Sequence, residues 1–179
     1  VGLILPAVYY FWGKGPALLA AGVFVGLFMA GESFRLHHAW FNERVLKTFS
    51  ALAKDRERTR ITGATYFMIG SALTIAIYAR EVAILAIVFS VFGDMAATLV
   101  GARFGRLHVT PEKTLEGGLA CFLACFLAGL GLLQTELPIN LLQVFLGSMA
   151  AALIEIFSSP LDDNLTIPIF AGLLMQSVY

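Results

Sequence analysis

The chain has 179 residues, 59% of them hydrophobic and 13% charged, with a mean hydropathy of +0.83. An average globular protein carries roughly 25% charged residues, so a water-soluble globular fold is excluded as the leading reading. Twelve basic and twelve acidic side chains cancel; no net charge is left to recruit nucleic acid, and what matters is where the charges lie along the chain.

A helix needs about 20 mostly apolar residues to cross a bilayer core. Residues 1–12, VGLILPAVYYFW, open inside an apolar stretch with no polar flank, and are expected to be the second half of a span whose start lies upstream. Six full spans are expected near 16–31, 61–79, 82–102, 115–134, 138–156 and 165–179. The expected fold is all-α. It is a polytopic transmembrane helix bundle, six full spans plus a truncated first one, forming a single integral-membrane catalytic domain over residues 1–179.

The long polar segment, 32–60, holds Arg35, Arg44, Lys47, Lys54, Arg56, Arg58 and Arg60, seven of the twelve basic residues. The positive-inside rule assigns it to the cytoplasm. Counting onward, the turn at Arg80 and Glu81 and the turn 134–138 fall outside, while 103–114 and 157–164 fall inside. Three polar segments thereby share one face, where the chemistry is expected. Within 32–60, His37, His38 and Trp40 read as interfacial anchors, because Trp prefers the headgroup zone. KDRERTR reads as a solvated helix end or loop, with Arg60 at the mouth of the next span as a candidate phosphate contact.

Asp94 lies inside the expected span 82–102. A carboxylate within a span costs about 3 kcal/mol or more and by default faces a cavity or a partner. Around it Gly93, Ala97, Gly101 and Gly105 recur every four residues, a spacing that lets another helix approach closely. Cys121 and Cys125, four apart in an apolar run, read as small packing residues. The stretch GARFGRLHVTPEKTLEGG follows, with Arg103, Arg106, Lys113 and a helix start marked by Thr114, Glu116 and Gly117. Free N–H groups at a helix start beside Lys113 and Arg103 suit a phosphate, although no Walker A motif is present. Last comes EIFSSPLDDNLTIP, from Glu155 to Pro168. Asp162, Asp163 and Asn164 at the mouth of a span, with Glu155 about two turns earlier, offer oxygen ligands for a hard cation such as Mg²⁺. Alternatively, one of the three is a helix cap.

The order GDMAATLVGARFGR, KTLEGGLA and SSPLDDNLTIPIFAGL resembles the CTP-dependent lipid kinases, the family of dolichol kinase, phytol kinase and the CTP-dependent diacylglycerol kinases. It covers about residues 60–175. The resemblance implies a membrane-embedded enzyme, in the cell or endoplasmic reticulum membrane, that transfers the terminal phosphate of CTP to a lipid alcohol with a divalent metal. Carried onto this sequence, it makes Gly101, Arg103, Gly105, Lys113, Thr114, Glu116 and Gly117 the expected nucleotide site, with Asp162, Asp163 and Asn164 closing it; Arg60 is added to that site from its position at the mouth of a span. The expected metal ligands are Asp94, Glu155, Asp163 and Asn164. The expected catalytic set is Asp94, Lys113, Asp162 and Asp163, with Lys113 and Arg103 on the phosphates and Asp162 accepting the hydroxyl proton. Glu32 and Arg35 resemble a family position less specifically. Expected partners are CTP, a lipid alcohol and the membrane, without nucleic acid, and homodimerisation is left open. Two rivals remain. PEKTLEGG resembles the loop of CDP-diacylglycerol synthase equally well, although SSPLDDNLTIP departs from that family's C-terminal element. A small transporter would instead place ionisable groups at mid-membrane in two related halves.

Overall fold

The computed structural model describes residues 2–48, 60–157 and 162–179. Lys54, Arg56 and Arg58 lie outside the described residues, as do positions 158–161 of the expected polar segment 157–164. Eight helices are found among the described residues: α1 Ile4–Trp12, α2 Lys14–His37, α3 Ala39–Thr48, α4 Gly63–Ile77, α5 Arg80–Phe104, α6 Leu115–Leu132, α7 Leu141–Phe157 and α8 Asp163–Gln176. Each of the six expected spans coincides with one helix from α2 and α4–α8. Only α2, α5 and α6 are long and apolar enough to cross a membrane by length and composition; α4 and α7 are shorter apolar helices. Of the six expected full spans, three are thus long and apolar enough to cross a membrane.

Three features depart from the expected pattern. The apolar start is a nine-residue helix, broken from α2 at Gly13, whose φ of +83° only glycine adopts readily. The basic segment contains α3, where Arg44 lies over the Trp40 ring. A short hairpin also interrupts the otherwise all-helical fold. Strands β1 His108–Thr110 and β2 Lys113–Thr114 pair antiparallel in the stretch between α5 and α6.

Helix α5 is the axis of the core. Its residues 82–89, VAILAIVF, are all buried, as a helix that is apolar all round must be. It packs on α1, α4, α6, α7 and α8. Helix α4 packs on α2 and α8. Pro168 inside α8 removes the N–H that would otherwise bond the Asn164 carbonyl. Gly70 of α4 sits against that point: a Cβ there would lie 3.0 Å from Asn164 O and 3.2 Å from Leu165 Cα. One turn further on, the Tyr78 hydroxyl donates to Ile169 O at 2.7 Å. These contacts fix where α8 begins.

A buried polar network joins α2, α3 and α4. Arg35 is 3% exposed and donates to Glu32 Oε2, to Asn42 Oδ1 and to the Arg60 carbonyl, each through an Nη at 2.6 Å. Glu32 Oε1 accepts from Thr62 Oγ1 at 2.6 Å and from Thr65 Oγ1 at 3.4 Å. Removing one member of a buried ion pair leaves the other charge uncompensated. Arg35→Ala is therefore expected to cost about 3–5 kcal/mol of stability, read as thermal unfolding of the detergent-solubilised protein. A midpoint within a degree of the wild type would assign the network no structural role.

Candidate active site

Helix α5 carries Asp94 into the bundle next to Gly93, and Gly93 sets how closely α6 approaches. A Cβ at position 93 would stand 2.8 Å from Cys121 Sγ and 2.9 Å from Cys125 Sγ. Both cysteines are free and buried, in keeping with their reading as packing residues. The glycine stripe continues along the same seam: a Cβ on Gly101 would lie 3.2 Å from Thr114 Oγ1, and one on Gly117 3.1 Å from Ala97 O. Gly101, Gly105 and Gly117 thus surround Thr114 and bring two helix backbones together.

Thr114 is the N-cap of α6, its side chain accepting from the Gly117 N–H at 3.1 Å. This is the helix start read from the sequence, and the cap occupies the hydroxyl. Glu116, half-buried in the first turn, accepts from the Leu107 N–H at 3.2 Å with both carboxylate oxygens, tying the hairpin back onto α6. The hairpin delivers Lys113 at the end of β2.

Asp162, Asp163 and Asn164 divide their roles. Asp162 is the N-cap of α8, its Oδ1 accepting from the Asn164 N–H at 3.1 Å, so the cap alternative holds for this one residue. The Asn164 side chain donates to Asp162 Oδ1 at 3.0 Å and to Asp163 Oδ1 at 3.3 Å. Asp163 is then held in the first turn of α8, 2% exposed, where a negative charge is favoured by the helix dipole. Glu155 comes from the last turn of α7 and is 4% exposed.

These elements meet in one cluster. Asp94, Glu155 and Asp163 each bring a carboxylate oxygen within 4.8 Å of the others. Lys113 Nζ reaches into the group and donates to Glu155 Oε1 and to Asp163 Oδ2. Burial works to lower the Lys113 pKa, but the carboxylates of Asp163 and Glu155 outweigh it and hold the group above its ordinary 10.5. The second oxygen of Glu155, Oε2, is buried with no hydrogen-bond partner. A buried, unsatisfied carboxylate oxygen is costly, and three acids with one ammonium leave two formal negative charges. The donor set is all oxygen, which fits a hard divalent cation.

Other residues selected from the sequence lie elsewhere. Arg103 is exposed, its guanidinium 5.6 Å from the Phe104 ring centroid. Arg60 is exposed, and its carbonyl accepts from Arg35. Glu116, Gly101, Gly105 and Gly117 hold the hairpin and the helix seam, and the Asn164 side chain donates to Asp163 beside the acid trio. An open apolar cavity of about 660 Å³ is lined by Ile84, Val88 and Phe92 of α5 with residues of α1 and α6, and by none of the acids. The sequence reading missed the Lys113 pairing and the parts played by Asn42, Thr62 and Thr65 around Arg35 and Glu32.

No family model matches the chain, and no solved structure matches it significantly. Curated relatives do. The chain is 26% identical to CTP-dependent diacylglycerol kinase 1 of Saccharomyces cerevisiae, over 87% of this chain and 61% of that protein. It is 24% identical to the Schizosaccharomyces pombe protein of the same name, over 83% and 74%. With the probable phytol kinase 2, chloroplastic, of Oryza sativa subsp. japonica it shares 30% identity over 77% of this chain and 49% of the relative. By these relatives the chain is similar to the CTP-dependent lipid kinases. It spans about three fifths of the S. cerevisiae protein and half of the rice one.

Proposed function

We propose that the chain is a membrane-embedded kinase that transfers the terminal phosphate of CTP to a lipid alcohol at the cytoplasmic membrane face. The observation that carries this reading is the cluster of Asp94, Glu155, Asp163 and Lys113, gathered from α5, α7, α8 and the hairpin. Relatives named as CTP-dependent diacylglycerol kinase and phytol kinase support CTP as donor and a lipid alcohol as acceptor. Diacylglycerol, phytol and a polyprenol such as dolichol all remain within that class. The face assignment rests on the basic residues of 32–60.

Phosphoryl transfer leaves little covalent work for a protein: its oxygens need neutralising and the acceptor needs holding in line. Asp94, Glu155 and Asp163 would hold Mg²⁺, whose contribution when bound is to neutralise charge on the transferred group. Lys113, on a hairpin at the edge of the cluster, is placed to donate to nucleotide phosphates. Asp162, half-buried at the start of α8, is the candidate to accept the hydroxyl proton of the acceptor. Arg60 and Arg103 would reach the nucleotide from outside the cluster, together with the helix start at Thr114, Glu116 and Gly117.

Purified protein incubated with nucleotide and a panel of diacylglycerol, phytol and polyprenol tests the reading. The expected result is a phosphorylated alcohol from one panel member, formed with CTP and Mg²⁺ and lost on chelation. No phosphorylated product from any member would overturn it.

A further inference from the structure

Lys113 donates to two of the three carboxylates that would hold the metal. An ammonium and a hard divalent cation seek the same oxygens, and Mg²⁺ demands near-ideal octahedral geometry at about 2.0–2.1 Å, which leaves little room for a second cation on them. We infer that Lys113 is the resident cation of the cluster, and that it gives up Glu155 and Asp163 when a divalent cation enters, freeing its ammonium for nucleotide phosphates. The inference rests on the metal reading above and adds to it an order of events.

Two observations carry it. The ammonium leaves Glu155 Oε2 buried and without a partner, so an oxygen stands ready for a stronger cation. Lys113 itself sits at the end of the two-residue strand β2 with its side chain 15% exposed, while Glu155 and Asp163 are 5% and 1% exposed on helices. The movable partner is thus the lysine, whose four-carbon stem can swing, and the fixed partners are the acids. In this arrangement the empty site is kept from being a bare cluster of three buried acids, and nucleotide and metal reinforce each other's binding.

The test is Mn²⁺ binding to nucleotide-free protein in detergent, followed by the electron paramagnetic resonance of free Mn²⁺, in wild type and in Lys113→Met. The expected result is Mn²⁺ affinity higher on the order of tenfold or more in Lys113→Met, because the competing positive charge is gone. Equal or weaker affinity in Lys113→Met, with measurable binding in wild type, would overturn the displacement while leaving the metal site standing. Absence of Mn²⁺ binding to both proteins at millimolar concentration would overturn the metal reading and this inference together. A second measurement needs no variant. Acylation of Lys113 in wild type, mapped by mass spectrometry against Lys14 and Lys47, is expected to rise several-fold on adding saturating Mn²⁺. Unchanged Lys113 acylation under Mn²⁺ that demonstrably binds would also overturn the displacement.

Discussion

Under the proposed mechanism Asp94→Asn is expected to lower the rate of phosphate transfer by about 10²-fold or more, the scale seen when a preorganised charge-stabilising group is removed from an active site. The amide keeps the volume and removes one of three carboxylates that approach within 4.8 Å. Lys113 still pairs with Glu155 and Asp163 in this variant, so the cluster loses charge repulsion without losing its cation. The variant is therefore expected to remain folded, with a cooperative thermal transition, while turnover collapses. Turnover and thermal unfolding measured on one preparation separate the two. Near-normal turnover would make Asp94 a structural acid.

Lys113→Ala is expected to do the reverse to stability and still remove activity. Truncating the lysine leaves Glu155 and Asp163 buried without their shared cation, which costs about 3–5 kcal/mol when one member of a buried pair is removed. The same change takes away the ammonium placed for phosphate, so steady-state kinetics with each substrate varied separately should show KM for CTP rising and KM for the lipid unchanged. A rise confined to the lipid KM would move the donor site away from the hairpin, toward Arg35 and Arg60.

The helices were legible because each is an apolar run bounded by polar residues, and two of their starts carry readable caps, Thr114 and Asp162. Asp94, Glu155 and Asp163 could also be singled out, since a carboxylate at or within a span has few uses. The partner of Lys113 could not. Glu155 and Asp163 lie 42 and 50 residues away, and nothing local distinguishes a lysine that faces acids from one that faces solvent or phosphate. Gly101, Gly105 and Gly117 were ambiguous for a similar reason. Glycines that let a phosphate approach and glycines that let a helix approach follow the same spacing; in the fold all three lie against Thr114 at the seam of α5 and α6. The hairpin and α3 are short elements whose formation depends on what they pack against.

In the proposed reaction the γ phosphate, and not the nucleotide, reaches the lipid. CTP labelled in parallel preparations at the α or the γ phosphorus, incubated with the purified protein and its acceptor, tests this directly. The account predicts label in the lipid fraction from γ-labelled CTP only, with CDP as the other product. Label in the lipid fraction from α-labelled CTP, with release of pyrophosphate, would contradict it and make the chain a cytidylyltransferase.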